Sequence, residues 1–316
     1  MTTERPFNGV VMIADGPRVV HAKVSGHADR ERSVPLTLAR RFVIGSLSKQ
    51  ITAALVMQQV DQGKIDLDAP ISTYLSAGAD WARRVKVRHL LNHTSGIIDL
   101  GSPLKSEPGT TFAYSNLGYD LLGTIVERVS GEGFATVAAR LFASCGMTET
   151  AALDASNNPG LSVGYSEEAD GTLVVASPSP MSEHAPSGGM VSSVGDLVRW
   201  NMCLHGGRAV SSESYAAMMK PAVTRPYRWG ELGYGFGVQV SEQDGLTEIS
   251  HGGYVEGFIA TMAYYPQSRR TLVVLENVSW RAEDMRRAFA PHDKLREAVR
   301  AELRRSPRAG ARSPAP

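Results

Sequence analysis

The 316 residues include 42% hydrophobic side chains and 33 basic against 32 acidic ones, for a formal net charge of +1. A chain this long and apolar can bury a large core. Its near-neutral balance excludes the strong field that favours nucleic acid or an anionic membrane surface, so small molecules are the expected partners.

The opening residues MTTERPFNG hold no apolar leader core, and no later run is long enough to cross a bilayer. As the sequence stands it reads as cytoplasmic, or as periplasmic or secreted if a leader was removed. Residues 8–14 (NGVVMIA) and 17–25 (PRVVHAKVS) are β-rich runs joined by Asp15-Gly16, a strong hairpin signal. A helix is expected over 47–62, stopped by Gly63. The region 67–224 then alternates short helical patterns with Gly, Pro and Ser-rich connections. Strand-like runs return at 233–241, 246–251, 258–266 and 270–277, and a last helix is expected at about 283–303.

Sheet material at both ends of the chain predicts an α+β fold, in which one antiparallel sheet is flanked by the helices at 47–62 and 283–303. The corresponding domains are a discontinuous α/β lobe (1–66 and 225–303), an inserted helical lobe (67–224) and a disordered tail (304–316) lacking large apolar residues. Cys145 and Cys203 lie far apart in helical segments with no CxxC pattern, which reads as a reduced, buried pair.

Within RFVIGSLSKQITAALVMQQVDQGK, Ser46 and Lys49 sit three apart where a strand gives way to a helix. One helical turn places both side chains on one face, at a terminus with free N–H groups and positive potential. A lysine buried there tends toward neutrality, the state a general base needs. The plainer alternative is that Ser46 caps the helix and Lys49 reaches solvent. With seven lysines in the chain, the spacing alone arises by chance about once. Ser102-Pro-Leu-Lys105 shows the same spacing where Pro and Gly prevent a helix. Gly160-Leu-Ser162-Val-Gly164 fits G-x-S-x-G but lacks the strand and helix that a nucleophile elbow requires.

Further on, Tyr114-Ser115-Asn116 precedes an amphipathic helix. Tyr114 is a candidate proton shuttle and Asn116 a candidate donor to a substrate carbonyl, or else a packed ring and a helix cap. A tyrosinate base would need its pKa brought from about 10 to about 7, roughly 4 kcal/mol, which a Lys49 ammonium would supply in part. His251, Gly252 and Gly253 read as a hairpin turn or as a strand against which substrate lies, with the Ser46 and Tyr254 amides as an oxyanion hole. The eight histidines show no metal-ligand spacing.

Taken in order, Ser46-x-x-Lys49, VRHLLNHTSGI (87–97), Tyr114-Ser115-Asn116, SGGMVSSVGDLVRW (187–200) and His251-Gly252-Gly253 resemble the class C β-lactamase-like branch of the serine β-lactamase and penicillin-binding-protein superfamily. That resemblance implies a two-lobed fold and a cofactor-free covalent serine mechanism. It makes Ser46 the acylated residue and gives its proton to Lys49 and Tyr114. Asn116 would hold the substrate amide, and His251, Gly252, Gly253 and Tyr254 would form the binding strand. The third motif departs from the Lys-Thr-Gly typical of the branch's β-lactamases. A neutral His251 and a hydroxyl-free Gly252 weaken the usual grip on a β-lactam carboxylate. The expected function is therefore an esterase or a peptidase of the D-amino-acid or D,D type, with β-lactam hydrolysis and a non-catalytic binding protein as the alternatives.

Overall fold

In the computed structural model, residues 5–76, 80–154, 157–177 and 179–305 are described. The hairpin expected around Asp15-Gly16 is formed by strands β1 (Gly9–Asp15) and β2 (Arg18–Ser25). The C-terminal strands are β3 (Val223–Tyr227), β4 (Gly230–Tyr234), β5 (Gln239–Gln243), β6 (Leu246–Val255), β7 (Phe258–Tyr265) and β8 (Arg270–Glu276). All eight belong to one antiparallel sheet in the order β3-β4-β5-β6-β7-β8-β1-β2. Strand β1 pairs with β8 from Gly9 opposite Glu276 to Asp15 opposite Arg270, closing the two ends of the chain onto each other. The fold is α+β, as the segment pattern predicts.

Alternation along β1 sets the layers: Val10, Met12 and Ala14 enter the main core on one face, while Val11 joins Ala263, Tyr265, Leu272 and Val274 on the other. That second face is covered through Val299 and Leu303 of the C-terminal helix, Ala290–Arg305. This helix follows a short one at Met285–Ala288, and Pro291 stands in its first turn, where a missing N–H costs nothing. It runs through Arg304 and Arg305, which the sequence pattern assigns to the tail; the rest of the tail, 306–316, lies outside the described residues.

Helix α1, Ser48–Asp61, follows a 3-10 turn at Gly45–Leu47 and is buried on almost every side, within the main core that covers one face of the sheet. Helices α2 (Asn116–Ser130) and α3 (Phe134–Cys145) pack against it. Helix α4, Val194–Leu204, expected within the helical lobe, instead packs directly across β8 and β1.

Two strand expectations change. Residues 233–241 are interrupted, because Gly235–Val238 leaves the sheet to pass over the first turn of α1, where a Cβ on Gly237 would lie 2.6 Å from the Lys49 carbonyl oxygen. Strand β6 continues to Val255, so Gly252 and Gly253 are strand residues and the turn comes at Glu256-Gly257. Among the described residues no helix is long and apolar enough to cross a membrane.

The expectation of reduced cysteines is overturned: Cys145 and Cys203 form a disulfide, with Cα atoms 5.5 Å apart. Distance along the chain is no guide to distance in space, and this bond staples the end of α3 to α4. Closing a loop of this length contributes about 2–4 kcal/mol. Thiol titration of the denatured, unreduced protein should therefore find no free cysteine. The Cys145→Ser, Cys203→Ser double variant should lose about 2–4 kcal/mol in a denaturant titration.

Candidate active site

The 3-10 turn that carries Ser46 lies against the face of β6. Gly45 has φ +54°, and a Cβ on it would come within 3.1 Å of the Tyr254 amide nitrogen. A Cβ on Gly253 would lie 2.2 Å from the Ile44 carbonyl oxygen, closer than any side chain can approach. These two glycines bring the Ser46 turn and the Tyr254 amide together. Strand β5 leaves the ladder at Gln239, opposite Ser250, so residues 251–255 of β6 pair only with β7. Their other edge has no strand partner among the described residues, and the Tyr254 amide lies along this stretch.

One turn into α1, the Lys49 side chain is completely buried. Its Nζ lies 3.2 Å from Ser46 Oγ and donates to Asn116 Oδ1 at 2.8 Å and to the Ser187 carbonyl at 2.5 Å. Burial lowers its pKa to about 7, with the Asp120 carboxylate acting weakly in the other direction. The Tyr114 hydroxyl donates to Ser46 Oγ at 2.7 Å. Burial of that hydroxyl pushes its pKa up to about 12, although the residue as a whole keeps 40% of its surface open. Tyr114 is therefore protonated at neutral pH. This reverses the tyrosinate expectation: Lys49, with its pKa lowered into the neutral range, supplies too little positive charge to pull the phenol down.

The roles within Tyr114-Ser115-Asn116 separate cleanly. Ser115 is the N-cap of α2, its Oγ accepting from Gly118 N at 3.0 Å. Asn116 is thereby released from capping and turns its oxygen to Lys49. Behind Tyr114, the His93 ring packs tilted at 37° with 4.3 Å between centroids and accepts from the Ser115 amide through Nδ1 at 3.2 Å. Its place in the HTSG segment is legible in sequence, but this supporting task is not.

His251 is buried, with Nε2 2.9 Å from the Tyr234 hydroxyl and Nδ1 2.8 Å from the Gly252 carbonyl. The carbonyl can only accept, which fixes the proton on Nδ1 and leaves Nε2 to accept from Tyr234. Burial lowers its pKa to about 3. Both ring nitrogens are engaged within the protein, so His251 contributes strand backbone to the site and no free polar side chain. Ser102 and Lys105 lie in an irregular segment. Ser162 is buried in an extended stretch whose amide donates to Arg41 O, without the strand-turn-helix of an elbow.

Beside Ser46 a cleft of about 190 Å³ is lined by Asn116, Ser187, Gly188, Tyr254, Val255 and Glu256 among others. It adjoins a larger hollow of about 370 Å³, sharing Tyr254 and Glu256, where Glu167, Glu168 and Glu283 stand with Arg281.

A family model described as Beta-lactamase matches residues 3–300. The chain is 27% identical to Penicillin-binding protein 4 of Amycolatopsis lactamdurans, over 86% of this chain and 81% of that protein. It is 25% identical to a D-aminopeptidase of Brucella anthropi, over 88% of this chain and 57% of that protein. Among solved structures, a penicillin binding protein from Bacillus halodurans matches with a TM-score of 0.79 at 26% identity, covering 92% of this chain and 96% of that one.

The contact at Gly253 yields a direct test. Gly253→Ala should cost about 2 kcal/mol or more, because backbone stands where the methyl must go. Gly101→Ala, whose methyl would meet Asp99 Oδ1 in ordinary contact at 3.6 Å, should change stability by under about 0.5 kcal/mol. Thermal midpoints of the two variants check the contrast.

Proposed function

The chain belongs to the Beta-lactamase family, and on that premise we propose that it is a serine hydrolase cleaving small amides or esters through an acyl-enzyme on Ser46. The observation that carries this reading is the convergence of Lys49 Nζ and the Tyr114 hydroxyl on one oxygen, Ser46 Oγ, at 3.2 and 2.7 Å. A binding protein without turnover gains nothing from placing a buried amine with a pKa of about 7 against a serine.

Neutral Lys49 takes the proton from Ser46 as Oγ attacks the substrate carbonyl. The resulting oxyanion lies between the amides of Ser46 and Tyr254, which the close packing of Gly45 against β6 brings together. Asn116, which lines the cleft, has its Oδ1 engaged by Lys49 and so offers its amide N–H groups to the acyl portion. Tyr114, protonated at rest, delivers its proton to the leaving amine or alkoxide, and the proton held on Lys49 restores it. Water then attacks the acyl-enzyme, the same groups removing its proton and returning one to Ser46 Oγ. The similarity to a D-aminopeptidase and to penicillin-binding proteins favours amide substrates. A disulfide between Cys145 and Cys203 persists best in an oxidising compartment, which supports action outside the cytoplasm.

Ser46→Ala should abolish turnover of every accepted ester or amide and labelling by a fluorophosphonate, whereas Ser102→Ala and Ser162→Ala should retain both. Wild-type labelling in purified Ser46→Ala protein would refute the assignment. The pH profile has a definite sign. Lys49 must be neutral to act as base and its pKa is about 7, so kcat/KM should climb with pH through about 7 and level off above it. Initial rates between pH 5 and 9 check this.

A further inference from the structure

His93 carries two costs at one position. Its φ is +58°, a left-handed conformation that side chains other than glycine adopt only with strain. Its imidazole is buried, and Nε2 meets no hydrogen-bond partner among the described residues. Nδ1 accepts from the Ser115 amide, so the proton of the neutral ring sits on that unpaired Nε2. A buried N–H without an acceptor is rare in folded proteins and calls for a reason.

The reason lies in what His93 grips. Asn92 Oδ1 accepts from the Thr94 amide at 3.2 Å and from its hydroxyl at 2.6 Å, bracketing His93 in a tight turn. This turn follows a short helix, Val87–Leu91, whose Leu91 carbonyl accepts from the Tyr119 hydroxyl of α2 at 2.6 Å. Held in this way, His93 makes two hydrogen bonds to the segment ahead of α2. Its carbonyl accepts from the Ala113 amide at 2.7 Å, and its Nδ1 accepts from the Ser115 amide at 3.2 Å. Tyr114 is the residue between them, and its ring packs on the same imidazole. Burial keeps the imidazole neutral, so Nδ1 stays an acceptor.

Resting on the acyl-transfer function above, we infer that His93 is a positioning residue for Tyr114 and thereby sets how poor a leaving group the enzyme can expel. The Tyr114 hydroxyl, 2.7 Å from Ser46 Oγ, is the group assigned to protonate what departs. A p-nitrophenolate leaves without that proton, whereas an alkoxide or an amine requires it. Loosening the clamp on Tyr114 therefore costs activated esters little and alkyl esters or amides much.

Three substitutions separate the ring nitrogens from the backbone strain. Asn sets an oxygen where Nδ1 stands and tolerates the left-handed backbone, Gln carries its polar end out toward Nε2, and Gly tolerates the backbone but supplies no acceptor. The test is kcat/KM for p-nitrophenyl, phenyl and ethyl butyrate, which all pass through the same acyl-enzyme. In His93→Gln and His93→Gly the ratio of the p-nitrophenyl to the ethyl ester should rise at least about tenfold over wild type, with the phenyl ester between them. His93→Asn should stay close to the wild-type ratio. Tyr114→Phe should show the same rise, and adding His93→Gln to it should raise the ratio no further. Equal ratios in the Asn and Gln variants, or rises that multiply in the double variant, overturn the positioning role. Damage to folding alone lowers all three rates together, leaves every ratio at its wild-type value and so overturns it too. An unchanged ratio in Tyr114→Phe overturns the proton delivery on which the inference rests, and turnover retained by Ser46→Ala overturns the serine mechanism itself.

Discussion

The burial of Lys49 is the constraint around which the rest of this structure is arranged. Withdrawing an ammonium from water costs several kcal/mol unless acceptors surround it, and three oxygens do so from three parts of the chain: Ser46, Asn116 and Ser187. Each imposes a requirement on its own segment. Helix α1 has to be enclosed on nearly all sides, α2 has to begin at Asn116, and the Ser187 carbonyl has to point inward ahead of α4. Even so, the acceptors compensate only in part, and the amine is left with a pKa of about 7. An incompletely compensated buried charge is what a lysine base requires, since full compensation would lock the proton on it.

Bringing that amine to the sheet demands unusually close backbone contacts. Gly45, Gly237 and Gly253 come from three separate segments, and a Cβ on any of them would press within about 3 Å of backbone belonging to another. Gly237 lets the Gly235–Val238 excursion pass over the first turn of α1, and Gly253 lets β6 lie on the turn before Ser46. The same contacts explain why β4 and β5 are separate strands and why β6 runs past its glycines. A strand can keep glycine where backbone must approach backbone.

The sheet was legible because its signals are local: continuous β-rich runs in β1 and β8, and a hairpin at Asp15-Gly16. Ser46 and Lys49 were legible for the same reason, one helical turn holding both. Properties set by distant neighbours were not. The Cys145–Cys203 bond depends on how α3 meets α4. The protonation of Tyr114 depends on its enclosure, and the use of both His251 nitrogens depends on Tyr234, which belongs to another strand. Capping by Ser115 rather than Asn116 is local, yet sequence leaves it open because either residue type can cap.

The protonation states around Ser46 also settle where charge appears during the proposed reaction. His251 has a pKa of about 3, His93 is held well below its usual value by burial, and Tyr114, Tyr119 and Tyr234 are all pushed upward. At neutral pH the histidines and tyrosines packed around Ser46 are therefore uncharged, and the Lys49 amine is the group among them that takes up charge. When Lys49 takes the serine proton it becomes an ammonium in a poorly solvated setting, and the oxyanion arises beside it in the same step. Opposite charges that appear together attract strongly in such surroundings, and that attraction is absent while the substrate carbonyl is neutral. Stabilisation confined to the transition state lowers the barrier without tightening ground-state binding. A permanently charged histidine or tyrosinate in the lining would spread that attraction over the whole cycle. Excluding such charges is thus as much a part of the proposed mechanism as supplying the base.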